Sequence, residues 1–132
     1  MNLQEYRNTP TEQQRTAELL RLLPDKGGSA LDIGARDGFY SHLLAERFDE
    51  VVALDLAVPK VVHPKVRNVK GNAACLEFPD RSFDLVFCAE VLEHLPEPTL
   101  SAACREIERV ARGVILIGVP YKQDLRLGRT TC

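Results

Sequence analysis

The sequence lacks any run approaching the ~20 consecutive apolar residues that would span a bilayer, and Met1 to Arg15 contain no apolar signal core. A membrane helix is excluded on this reading, and a cytoplasmic protein is expected. Positive charge is not in excess either: 17 Lys and Arg face 19 Asp and Glu, a net charge of -2, so no global field draws in a phosphate backbone. Nucleic acid is a disfavoured partner. The four cysteines, Cys75, Cys88, Cys104 and Cys132, form no C-x-x-C pair and have no histidine at ligand spacing. No metal site is expected, and free thiols in a reducing compartment are. With 45% hydrophobic and 27% charged residues over 132 positions, the chain is too apolar to be disordered and long enough to bury one core.

Thr9, Pro10 and Glu12 form a helix start in which Thr9 caps, Pro10 takes the first turn and Glu12 reaches back to the cap. Ala17, Leu19, Leu20, Leu22 and Leu23 supply an apolar side up to Pro24. "SALDIG" then reads as a strand stopped at Gly34, Phe39 to Phe48 returns to helical spacing, and "EVVALDL" is a second apolar strand ending on Asp55. After an irregular stretch with Pro59 and Pro64, Val66 to Val69 forms a short third strand and "SFDLVFCAE" a fourth. Leu100, Ala103, Cys104, Ile107, Val110 and Ala111 recur at helical spacing after Pro98 and Thr99, with Gly113 as the stop and "VILIGV" as a fifth strand. Asp84 is assigned a structural role, and Arg105, Glu106, Glu108, Arg109 and Arg112 a solvated helix face.

Apolar strands alternating with amphipathic helices predict an α/β fold, Rossmann-like and doubly wound, with a mostly parallel sheet of about five strands. The expected organisation is an N-terminal helix and loop over 1–28, a ligand-binding domain over 29–120 and a tail over 121–132. In such folds ligands lie beyond the carboxyl ends of the strands at the switch point. "LDIGARDGFYS", residues 31–41, occupies that place.

This stretch lacks the glycines of a dinucleotide loop, because G-x-G-x-x-G starting at Gly34 would meet Arg36 and Phe39. Asp32 and Asp37 would also face a pyrophosphate with like charge. A ligand bearing an ammonium and a sulfonium reverses that sign, Gly34 and Gly38 allow close backbone approach, and the Asp55 carboxylate can accept from both hydroxyls of a ribose. The pattern describes a cationic nucleoside without phosphates.

Together with "VVALDL", "GNAACLEFPDRSFDLVFCAEVLEHL" and the run to "VILIGVP", the stretch resembles the class I S-adenosylmethionine-dependent methyltransferases, in particular the small-molecule branch containing the quinone-biosynthesis enzymes, across roughly Ser29 to Pro120, about 70% of the chain. The resemblance implies S-adenosyl-L-methionine as cofactor and a small-molecule methyl acceptor. It implies that Asp32 helps to hold the amino-acid end, that Gly34, Ala35, Arg36 and Gly38 form the loop, with Arg36 in place of the family's middle glycine, and that Asp55 meets the ribose with Leu56 against adenine. Asn72 would take the adenine amino group, Ala73 would offer its N–H to the ring, and the Cys88 carbonyl would accept from the ammonium. His94 in "EVLEHL" is a candidate base near the acceptor, the alternative being a short-helix histidine bonded to a carboxylate; Glu90 and Glu93 stay undecided. The N-P-P-Y and Pro-Cys signatures of nucleobase methyltransferases are absent.

The family continues beyond the fifth strand with a helix and two further strands that this sequence lacks. A fragment or shortened homologue is therefore expected, with residues 121–132 poorly anchored and a second copy covering the edge near Val114–Val119. Two other classes compete with methyl transfer: a binding or partner module that holds the cofactor without turnover, and a nicotinamide oxidoreductase.

Overall fold

A computed structural model describes Glu5, residues 8–89 and residues 91–118. The elements in chain order are helix α1 (Pro10–Leu22), strand β1 (Gly27–Ile33), helix α2 (Phe39–Ala45), strands β2 (Phe48–Asp55), β3 (Val66–Lys70) and β4 (Phe83–Ala89), a 3₁₀ turn (Leu92–His94), helix α3 (Thr99–Val110) and strand β5 (Ala111–Gly118). The five described strands pair in parallel throughout, in the order β3-β2-β1-β4-β5. The expected Rossmann-like α/β fold is present. Glu90, Val119, Pro120 and the tail over 121–132 lie outside the described residues.

Residue alternation along β1 builds two cores. Leu31 and Ile33 join Val52, Leu54, Val86 and Cys88 under Ala103, Ile107 and Val110 of α3. Ala30 faces the other way, with Val51, Leu85 and Phe87, under Leu19 of α1, Leu23 just beyond its end and Leu44 of α2. Both sheet faces are thus covered, which explains why the strands read as nearly continuous apolar runs. Among the described residues no helix is long and apolar enough to cross a membrane.

Thr9 caps α1 as expected, its Oγ1 accepting from the Glu12 N–H at 3.4 Å, but the Glu12 carboxylate pairs with Arg15 at 3.6 Å. The far end of α1 is closed by Arg47, whose Nη1 donates to the carbonyls of Leu20 at 2.7 Å and Leu23 at 3.4 Å. Leu22 faces solvent.

Four expectations need correction. Phe48 does not end α2; it opens β2, buried opposite Gly27, where any side chain would occupy the space of its ring. Gly113 does not stop α3, which ends at Val110. It belongs instead to an irregularity in which Arg112 and Gly113 oppose Asp84 alone, and a Cβ on Gly113 would strike the Asp84 carbonyl oxygen. The polar face of α3 is not simply solvated. The Arg109 guanidinium bonds Glu106, Asp80 and the carbonyls of Phe78 and Leu76 at 2.7–3.1 Å, fastening the segment before β4 to the helix. Of the thiols, Cys75 and Cys88 are free as expected, whereas Cys104 is disulfide-bonded.

Asp84 has the structural role expected of it. Its Oδ2 accepts from the N–H groups of Gly28 at 3.0 Å and Ser29 at 2.9 Å, and its Oδ1 accepts from Arg112 Nε at 2.8 Å. The Arg112 bond, followed by the Ser29 N–H, holds this carboxyl well below the usual carboxylate range. One side chain thereby ties together the first residues of β1, β4 and β5. Replacing Gly113 with alanine is expected to lower unfolding stability by about 1–3 kcal/mol, because the new methyl group meets backbone that cannot yield; urea unfolding of the variant beside the wild type measures this.

Candidate cofactor site

The turn after β1 needs unusual backbone. Gly34, Arg36 and Gly38 have φ of 77°, 52° and 86°, all in the left-handed region that side chains disfavour. The glycines are required twice over: a Cβ on Gly34 would strike Val91 Cγ2 beyond β4, and one on Gly38 would strike Val61. The N–H groups of Gly34 and Ala35 both donate to the Leu54 carbonyl, at 2.8 and 3.0 Å, fixing the turn against β2. Arg36 tolerates the left-handed conformation at a cost of about 1 kcal/mol, and its N–H donates to Asp55 Oδ2 at 2.9 Å.

Asp55 ends β2 and holds two loops. Besides Arg36, it binds the Leu56 N–H through Oδ1 at 2.8 Å, so each carboxylate oxygen keeps a lone pair for an incoming hydroxyl. Above it lies an open cavity of about 650 Å³, lined by Arg36, Asp37, Asp55 and residues 56–60. Leu56, 69% exposed, presents an apolar wall there.

Asp32 lies beneath the turn, only 2% exposed, with Oδ2 accepting from Ser41 Oγ at 2.7 Å. Burial is the main cause that raises its pKa from 3.8 to about 7; the Ser41 hydrogen bond opposes this, and the charges of Asp55 and Asp37 add to it. Cys88 is buried in β4, its thiol pushed up to about 12 by burial and then by Asp32 and Glu93, so its side chain packs and does not react.

The remaining expected residues lie apart from the cavity. Asn72 follows Gly71, whose N–H is held by the Asp55 carbonyl at 2.9 Å; its own amide oxygen accepts from the Ala74 N–H at 2.9 Å, forming a tight turn. Ala73 packs its methyl into the α3-side core. His94 stands on the 3₁₀ turn, its side chain 67% exposed, with Nε2 3.5 Å from Glu93 Oε2. The structure therefore gathers Arg36, Asp55 and Leu56 on one cavity, sets Gly34, Ala35 and Gly38 beneath it, buries Asp32 and Cys88 under that turn, and leaves Asn72, Ala73 and His94 on neighbouring turns.

Two residues escaped the sequence reading. Ser41 carries no pattern signal beyond being polar on the inner side of α2. Asn68, in β3, donates Nδ2–H to the Val61 carbonyl at 2.9 Å and accepts the Val61 N–H at 3.0 Å; its signal was an asparagine inside a strand, where that residue is depleted.

A family described as a methyltransferase domain matches residues 31–117. A protein from Mycolicibacterium smegmatis named a probable S-adenosylmethionine-dependent methyltransferase is 32% identical over 111 residues, covering 80% of this chain and 43% of its own length. A ubiquinone biosynthesis O-methyltransferase from Pseudomonas fluorescens is 33% identical over 84 residues, covering 55% of this chain and 36% of its own. The crystal structure of a candidate methyltransferase from an antibiotic biosynthesis pathway of Anabaena variabilis superposes with a TM-score of 0.62 at 32% identity, over 79% of this chain and 43% of that one. The chain spans about two fifths of the length of the curated relatives it matches.

Asp32 makes stability depend on pH. Its folded pKa near 7 lies above the ordinary 3.8, so folding binds a proton between those values and its contribution declines as pH rises from about 4 to 7. Asp32→Asn is expected to remove that decline and to unfold at higher urea than the wild type at pH 8, by up to about 4 kcal/mol; unfolding curves at pH 5 and pH 8 for both proteins test it.

Proposed function

The chain belongs to the S-adenosylmethionine-dependent methyltransferase family, and on that premise we propose that its cavity holds S-adenosylmethionine and that it methylates a small-molecule acceptor. The observation that carries this reading is the Asp55 carboxylate at the mouth of β2, its two oxygens steadied by backbone N–H groups and each able to accept from a ribose hydroxyl. Leu56 offers a face to adenine, and the left-handed turn, kept free of side chains at Gly34 and Gly38, would cradle the amino-acid end. Asp37 and Asp55 set two carboxylates on a cavity that Arg36 and Lys60 also line, and the carboxylates suit the ammonium and sulfonium of this ligand. The small-molecule acceptor is supported by relatives such as the ubiquinone biosynthesis O-methyltransferase.

When bound, the cofactor supplies an electrophilic methyl group on a positively charged sulfur. The chain's part is to hold that group in line with an incoming nucleophile and to exclude water, from which much of the rate enhancement can come. Asp55 and the turn would fix the two ends of the ligand. A base is needed only for an acceptor that must lose a proton, and His94 is the residue of the post-β4 turn able to serve.

Calorimetric titration with S-adenosylhomocysteine tests the assignment. Asp55→Ala is expected to weaken binding by about 1.5–3 kcal/mol, tenfold or more, and Asp55→Asn, which keeps one acceptor oxygen, by less. An Asp55→Ala variant that binds as tightly as the wild type, or a wild type that prefers NADH, overturns the reading.

A further inference from the structure

Beside the glycine turn, the cavity is lined by residues 56–60, the first half of the irregular segment 56–65 that joins β2 to β3. No helix or strand organises this strap, so its backbone groups need partners from elsewhere. Besides a long contact from Lys65 Nζ to the Ala45 carbonyl at 3.5 Å, three hydrogen-bonded points hold it along its length. The Leu56 N–H sits on Asp55 at 2.8 Å, the Lys65 carbonyl accepts from the Val51 N–H at 2.8 Å, and midway Val61 is gripped through both its N–H and its C=O by the single side chain of Asn68, at 3.0 and 2.9 Å.

The grip at Val61 reaches the cavity from behind. Val61 is 5% exposed, packs with Ala35 and Ala53, and occupies the space that a side chain on Gly38 would need. It is therefore the contact between the strap and the glycine turn, the two walls of the same cavity. Asn68 lies on β3, in register with Ala53 of β2, and the ladder is made by backbone groups, leaving the amide free for the strap. A planar amide offers an acceptor and a donor side by side, as a neighbouring peptide would.

We propose that Asn68 is a positioning residue for adenosyl binding: it is not part of the cavity lining, and through Val61 it holds residues 56–60 and the Gly38 end of the turn at the separation the ligand requires. This rests on the cavity being the S-adenosylmethionine site. Alanine at this position leaves the β2–β3 backbone pairing in place and strips Val61 of both partners. Aspartate keeps an acceptor for the Val61 N–H but sets a carboxylate against the Val61 carbonyl.

The test is calorimetric binding of S-adenosylhomocysteine to the wild type, Asn68→Ala, Asn68→Asp and Arg112→Ala, with urea unfolding of each. Arg112→Ala is the control for lost stability, since it removes a 2.8 Å contact to Asp84 at the opposite end of the sheet. Expected are a loss of affinity of about tenfold or more for Asn68→Ala, as the strap loses its hold on Val61, a loss also for Asn68→Asp, and wild-type affinity for Arg112→Ala even where its unfolding midpoint falls further. Faster amide exchange at Val61 is expected to accompany the loss in Asn68→Ala. Unchanged affinity of Asn68→Ala, or affinity losses that follow unfolding midpoints across all the variants, overturns the positioning role. A wild type that does not bind S-adenosylhomocysteine overturns instead the function on which that role rests.

Discussion

The fold turns on β1, which pairs in parallel with β2 on one side and β4 on the other. Parallel pairing sends every carboxyl end to the same edge of the sheet, and the reversal of strand order at β1 makes the loops after β1 and β4 diverge over opposite faces. A crevice at that edge is a consequence of topology. Because both faces of the sheet are buried under helices, its strand interiors cannot meet a ligand, and chemistry is confined to the loops. Asp84 secures the other end of the same strands, so the rigid part of the molecule is fixed before any loop is considered.

Charge at the carboxyl edge follows from burial. A carboxylate beneath the turn, with one hydroxyl as its hydrogen-bond partner among the described residues and two acidic neighbours, is costly to ionise, and the pKa of Asp32 is accordingly raised to about 7. A cation arriving above it would relieve that cost, whereas an anion would increase it. The same arrangement that disfavours folding at alkaline pH therefore favours a positively charged ligand, as family membership leads one to expect.

The order of strands, the glycine turn and the ends of β1 and β2 were legible because each rests on a local rule: apolar runs for buried strands, glycine for left-handed backbone, and a carboxylate closing a strand. What was not legible depended on partners distant in sequence. Phe48 fits a helical period as well as it fits a strand, and only the empty space over Gly27 decides between them. Gly113 looks like a helix stop until β5 is laid against Asp84, and Arg109 looks solvated until the segment 76–80 folds back onto α3. Asn68 belongs to the same class, its amide having no local purpose until Val61 is brought beside β3. Asp84 was assigned correctly in kind, yet its three partners on two other strands were beyond any spacing rule.

The two sides of the crevice differ in how completely their polar groups are satisfied. On the β2 side, both Asp55 oxygens and both polar atoms of the Asn68 amide have backbone partners within the described chain. On the β4 side, both Glu93 carboxylate oxygens are buried with no hydrogen bond among the described residues, the side chain being 7% exposed, and His94 Nε2 stands 3.5 Å away with most of its ring in solvent. Unsatisfied buried oxygens are costly, so the turn after β4 carries a cost that Asp55 and Asn68 do not. On the function proposed above, the β2 half, where internal bonds hold the side chains, would meet the cofactor that the family shares, and the β4 half would face the acceptor, which varies among its members.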